Sequence, residues 1–206
     1  LGNLRAVVLK KCGKNVWVKS WVPNENILGM VITHGETLTI HEHLSIKDDL
    51  GNYIYSPTVH YAYSPTPHTI LSLHELEERS LQLQSNIRIM NDEITLGQDK
   101  LGVLLMGNPH TSWWTGSLLD ITKTRKIVSN QSATTLQVEG SVMSAIIWML
   151  KNPNKGIMYP DDLPFEQILK DAEYYWGGYH SLQTDFKPSQ MKVHPFNIEL
   201  HDNAWQ

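Results

Sequence analysis

Leu101-Gly-Val-Leu-Leu-Met-Gly-Asn-Pro-His-Thr-Ser-Trp-Trp-Thr-Gly-Ser117 decides how this chain is read. Residues 101–106 are almost wholly apolar, the pattern of a strand covered on both faces, so a central place in a sheet is expected. The run ends at a glycine-rich loop expected to carry His110 and the adjacent Trp113 and Trp114. Residues 115–119 are expected to return as a strand. A second junction of this kind lies upstream, at Gly29-Met-Val-Ile-Thr-His-Gly-Glu36. In both, an apolar strand stops against small and polar residues, which is how a sheet edge delivers side chains to a pocket.

Working outward, residues 7–9, 16–22, 28–33 and 53–55 are strand-like, with Gly13-Lys-Asn15, Pro23-Asn-Glu-Asn26 and Gly51-Asn52 as turns or loops. Residues 37–40 are expected to begin another strand or to lead into a turn. Prolines 57, 65 and 67 bracket residues 58–63, a short or edge strand. Helices are expected over 69–84, over 120–128 with Asp120 as cap, over 132–150 as the buried core helix despite Gly140, and over 163–175 with Pro164 in its first turn. Residues 87–94 read as strand-like, and 179–186 as a last strand. Helices interspersed with hairpin-like strands indicate an α+β fold, a mixed or largely antiparallel sheet with helices packed on one face.

A length of 206 residues suits one large domain or two small ones. The formal charge is −4 with no basic run, so nucleic acid has no electrostatic footing, and the acidic balance weakly favours a cationic ligand. Cys12 is the lone cysteine, which excludes a disulfide within the chain. Apolar runs such as 142–150 are too short to span a bilayer. The opening Leu-Gly-Asn-Leu carries no initiator methionine or leader pattern, so the start reads as an internal cut and the setting as cytoplasmic. No G-x-G-x-x-G or Walker sequence occurs.

His34 and Glu36 flank Gly35 just after a strand. If extended they share a face, where Glu36 can bind an ammonium or polarise His34; the plainer alternative is a hairpin turn with exposed polar residues. Trp17 and Trp21 also share a face, and either can hold a cation over its ring or simply pack in the core. Trp113 and Trp114 are expected to point to opposite sides. Asn108 and His110 close the 101–106 strand in a position suited to ligand recognition. Glu139, inside an apolar helix, is expected to be ion-paired or to reach a pocket, a structural ion pair being the plainer reading. His60, His68 and His74 match no standard metal spacing, and no metal is expected.

The chain resembles a known family in a series of segments taken in order. These are Trp21-Val-Pro23, Ile32-Thr-His-Gly-Glu-Thr-Leu-Thr-Ile40, Tyr55-Ser-Pro-Thr-Val-His-Tyr-Ala-Tyr-Ser-Pro65 and Leu71-Ser-Leu-His-Glu-Leu76. They continue with Asp99-Lys-Leu-Gly-Val-Leu-Leu-Met-Gly107, Trp114-Thr-Gly-Ser117, Asn130-Gln-Ser-Ala-Thr-Thr-Leu-Gln-Val138 and Asn152-Pro-Asn-Lys-Gly-Ile157. Together they are similar to the C-terminal, substrate-binding part of the bacterial homospermidine synthases, which resemble saccharopine dehydrogenase in architecture. The resemblance implies that residues 1–206 form a substrate-binding and dimerisation domain, with an NAD-binding Rossmann domain preceding it outside this chain. It implies NAD as cofactor, putrescine or a similar diamine as substrate, and a homodimer. The implied reaction converts two putrescines to sym-homospermidine and ammonia by oxidation, imine exchange and reduction, a sequence the segment alone is not expected to complete.

From the family's acidic and aromatic site, the resemblance carries Trp21, Glu36, Glu75 and Trp114 over as substrate contacts, and His34, Glu36, Asn108 and His110 as catalytic candidates. Asn108 stands where relatives often have histidine after the glycine, which leaves His110 or His34 for proton transfer. Two alternatives remain. A reductase joining a semialdehyde to a diamine would need an arginine for the substrate carboxylate, with Arg79, Arg88 and Arg125 as candidates. The other is a non-catalytic dimerisation or polyamine-binding domain.

Overall fold

The computed structural model describes residues 8–9, 13–90, 92–109, 111–187 and 198–199. Its strands are β1 (Val8–Leu9), β2 (Trp17–Val22), β3 (Glu25–Ile32), β4 (Ile46–Lys47), β5 (Tyr53–Tyr55), β6 (Tyr61–Tyr63), β7 (Gln98–Asn108), β8 (Thr111–Asp120), β9 (Tyr179–Thr184) and β10 (Ile198–Glu199). Its helices are α1 (Glu36–His43), α2 (Pro67–Glu78), α3 (Ile121–Ile127), α4 (Ala133–Lys151) and α5 (Phe165–Trp176). The fold is α+β with antiparallel sheets, as the alternation of elements indicates. None of the described helices is long and apolar enough to cross a membrane.

The chain divides into two compact units. The first holds the residues up to Trp21 and Glu25–Leu83, and the second takes in Val22–Asn24 and the residues from Gln84 to 187.

In the first unit the sheet order is β2-β3-β6. Pro23 and Asn24 make the tight β2–β3 turn, with Asn24 in the left-handed region at φ 66°. Val31 N–H donates to Val16 O at 2.9 Å, which sets Trp17 opposite Met30 and Trp21 opposite Asn26. Met30 faces Tyr63, and Ile32 faces Tyr61. Val16, just before β2, and Val18 within it are buried. Helix α2 starts where Thr66 Oγ1 accepts from Thr69 N–H at 3.4 Å and Pro67 takes the first helical position.

In the second unit β8 is central, between β7 and β9. Leu119, Ala133 and Leu136 form the core, with Ile127 and Tyr175 packed against it. Burial of a side chain the size of Leu136 contributes about 1.5–3 kcal/mol. Asp120 caps α3 by accepting from Lys123 N–H at 2.8 Å, and Ser132 caps α4 by accepting from Thr135 N–H at 3.2 Å. Gln137 joins three elements: its side-chain amide donates to Ser117 Oγ on β8 at 2.8 Å, and its carbonyl accepts from Trp176 Nε1 on α5 at 2.8 Å. A Cβ on Gly140 would lie 2.6 Å from Tyr175 Cβ, so the glycine is what lets α5 approach α4.

Several expectations from sequence are corrected. Residues 37–40 are helical, in α1, with neither the strand nor the turn expected there. Asn26 and Glu25 belong to a strand, which shortens the expected loop to Pro23-Asn24. Helix α2 ends at Glu78 instead of Gln84, because Ser80 and Leu81 take positive φ. Residues 87–94 contain no strand among those described, and Ile87, Ile89 and Met90 are exposed. The apolar run 101–106 lies in an edge strand, with Leu101, Val103 and Leu105 partly open to solvent. Trp113 and Trp114 are strand residues of β8, not part of the loop, and Thr111 sits just past the connection at φ 79°. Glu139 lies on the exposed side of α4, where a carboxylate needs no buried partner. That helix buries Leu136, Gly140, Ser144 and Trp148 but leaves Val142, Ile146 and Leu150 exposed, so it is buried along one side only.

Candidate functional site

Where β3 ends, the chain bends and immediately starts α1. Thr37 fixes the bend, its hydroxyl donating to His34 O at 2.7 Å and its N–H to the same oxygen at 3.1 Å. Gly35 is the N-cap and offers no side chain to the helix, while Glu36 places an acid in the first turn, where the helix dipole favours it. His34 and Glu36 therefore meet through a bend and a helix start, not through an extended segment. His34 Nδ1 forms an ion-pair contact with Glu36 Oε2, and both side chains remain open to solvent. The face of the imidazole lies on Tyr61, with ring centroids 4.6 Å apart and planes within 15°. Tyr61 is delivered by β6, whose pairing sets it opposite Ile32.

The contact is one of proximity and not a hydrogen bond, since Nδ1 has no hydrogen-bond partner among the described residues, and in a neutral imidazole one of the two nitrogens is an acceptor. Such a nitrogen can take a proton from an ammonium group. One residue before Tyr61, burial pushes the His60 imidazole below its ordinary value near 6.5.

Not every residue singled out from sequence joins this cluster. Trp21 sits at the turn end of β2, about 20 Å from the level of Ile32 at ~3.3 Å per residue. Trp17 is on the same face but only about 7 Å from that level, and its indole N–H donates to Lys14 O at 2.9 Å. Glu75 projects from α2, exposed, and meets Arg79 one turn on at 3.8 Å. Lys14 and Glu77 tie the same helix to the turn before β2, and Lys14 holds the Glu77 carboxyl below the usual carboxylate range.

Trp114 belongs to the second unit and is almost fully buried, at 1% exposure. Its ring lies over Gly102, where a Cβ would come within 2.7 Å of Trp114 Cε2. Trp113 points the other way and stays partly open, as the alternation of an extended pair requires. Asn108 ends β7 opposite Thr111, and His110 lies outside the described residues.

Sequence reasoning missed Tyr61. Its signal was the alternation Tyr61-Ala-Tyr63, but which strand it would face depends on long-range register that no local pattern carries. It also missed Glu42 near the end of α1, which accepts from the Tyr53 hydroxyl and pairs with Lys47. The Lys47 ammonium lies 4.8 Å over the Tyr53 ring, and Glu42 raises its pKa above the ordinary value. These contacts and the bond between His41 Nδ1 and Pro57 O at 2.9 Å anchor α1 beyond Glu36.

No family model matches the chain. The chain is 39% identical over 204 residues to homospermidine synthase of Blastochloris viridis, an alignment covering 97% of this chain and 42% of that protein. It is 32% identical over 208 residues to homospermidine synthase of Mesorhizobium japonicum, covering 100% and 43%. A crystal structure of homospermidine synthase from Legionella pneumophila in complex with NAD matches with a TM-score of 0.83 and 36% identity, covering 96% of this chain and 43% of that one. The chain thus spans about two fifths of the length of these relatives. Across nearly all of its own length, the chain is homologous to a segment of the homospermidine synthases.

Proposed function

We propose that this chain is the diamine-binding part of a homospermidine synthase, an enzyme that joins two putrescines with loss of ammonia and works as a homodimer with NAD. The observation that carries the reading is the His34–Glu36 contact on the ring of Tyr61. A diamine near neutral pH carries two ammonium groups, and the reacting nitrogen must lose a proton before it can act as a nucleophile or lose hydride from the adjacent carbon. His34 Nε2 accepts that proton. Glu36 lies against Nδ1 of that ring, and its carboxylate attracts the cation.

NAD does not fit the residues described. A dinucleotide cradle needs a parallel βαβ unit with a glycine-rich turn at a helix N-terminus. This sequence has no such fingerprint, and the pairings β3–β6, β4–β5, β7–β8 and β8–β9 are antiparallel. In this reading NAD is held by polypeptide other than these residues, and the steps assigned here are limited to binding and proton movement. The semialdehyde alternative is weakened by its arginines: Arg79, Arg88 and Arg125 each face a carboxylate of their own chain, on Glu75, Glu93 and Asp92.

Isothermal titration of putrescine into the natural-length protein with NAD present tests the proposal. Glu36→Gln is expected to weaken binding about tenfold, the worth of a hydrogen bond to a charged group. Unchanged affinity would remove Glu36 from the site.

A further inference from the structure

We propose that Tyr61 is a positioning residue for proton transfer, holding the His34 imidazole in the one orientation in which Nδ1 meets Glu36 and Nε2 remains available to substrate. The inference rests on the reading of His34 and Glu36 given above.

Four observations support it. The backbone at His34 is pinned by Thr37 through two bonds to the carbonyl, but neither bond restrains the ring. The ring is partly exposed, so water does not confine it either. Left alone, an imidazole in that setting would sample several staggered orientations. What lies against its face is Tyr61, stacked at 4.6 Å and 15°. Tyr61 in turn is set by the β3–β6 register, opposite Ile32, two residues before His34. The sheet thus fixes the tyrosine, and the tyrosine fixes the plane of the imidazole. Glu36 then lies against the Nδ1 side of the ring and leaves the Nε2 side to the substrate.

A hydroxyl is not needed for this role, whereas an aromatic face is. Stacked aromatic pairs favour the paired arrangement by about two- to tenfold. The expected consequence is a loss in turnover more than in substrate affinity, since an imidazole in the wrong plane still leaves Glu36 to attract the cation.

The test uses the natural-length protein with NAD and putrescine, following homospermidine formation. Tyr61→Phe keeps the ring and is expected to stay within about twofold of the parent. Tyr61→Ile keeps strand propensity but removes the ring, and is expected to lower kcat by up to about tenfold with KM little changed. In a His34→Asn background, Tyr61→Ile should cost nothing further. If the isoleucine variant does not fold, Tyr61→Met fills the space without a ring and serves the same comparison.

A second readout does not depend on turnover. Carbon-bound ring protons of His34, observed with labelled histidine and assigned by His34→Asn, should carry an upfield ring-current shift that survives in Tyr61→Phe and vanishes in Tyr61→Ile. Equal losses with and without His34, or a shift unaffected by Tyr61→Ile, would overturn the positioning role. If instead His34→Asn alone leaves the rate unchanged while the shift behaves as described, the stacking stands and the catalytic reading of His34 falls.

Discussion

The two units solve different problems with similar parts. In the second, β8 is flanked on both sides, and Leu119, Ala133, Leu136 and Trp114 are sealed between sheet and helices or over facing glycines. In the first, the residues able to do chemistry sit past the ends of strands, where His34 and Glu36 remain open to solvent. Stability is concentrated where side chains interlock, and reactivity where the backbone has just left a sheet. A tryptophan such as Trp114 can thus be fully covered within the scaffold.

Trp114 offers the largest effect that can break this contrast. Trp114→Ala removes a fully covered indole and is expected to cost about 3–5 kcal/mol, read from the denaturant midpoint. If the protein kept its stability but bound putrescine poorly, Trp114 would belong to a substrate wall and not to the scaffold. His34 should behave in the opposite way. His34→Gln is expected to slow homospermidine formation about a hundredfold or more, while stability moves by no more than about 0.5 kcal/mol. A variant that melts early at full specific activity would reverse the assignment.

The smallest expected effect is a pH dependence in the first unit. Burial lowers the pKa of His60 in the folded state, so below its ordinary value near 6.5 the unfolded chain binds the proton more readily. Stability should fall as pH drops through that value toward the lower folded one, then level off. Thermal melts at neutral and mildly acidic pH should show a shallower dependence in His60→Gln. An unaltered slope would place the titration elsewhere.

Much of this was legible in the residues, for reasons that can be stated. Helix starts at Asp120 and Ser132 follow from capping chemistry that is local, whereas α2 begins at Pro67 behind the Thr66 cap, two residues before the expected start at 69. The His34–Glu36 pair was visible from spacing, although a helix start and not an extended strand brings it together. Helix α1 was hidden because Thr37, Thr39 and Ile40 are β-branched and no capping side chain precedes them, so contacts such as His41 to Pro57 sustain it. The edge position of β7 was equally hidden, since an apolar run does not reveal whether one or two strands will flank it. The separation of Trp21 from His34 depends on hairpin register, which a list of matching segments cannot convey.

Strand β6 is three residues long and lies at the margin of its sheet. Hydrogen bonds in such a place open by fraying, at a free energy well below that of global unfolding. Each opening carries the Tyr61 ring away from under the imidazole. The arrangement proposed for proton transfer would therefore have its own melting behaviour: warming or mild denaturant should erode turnover while the spectroscopic signature of the folded chain is still intact.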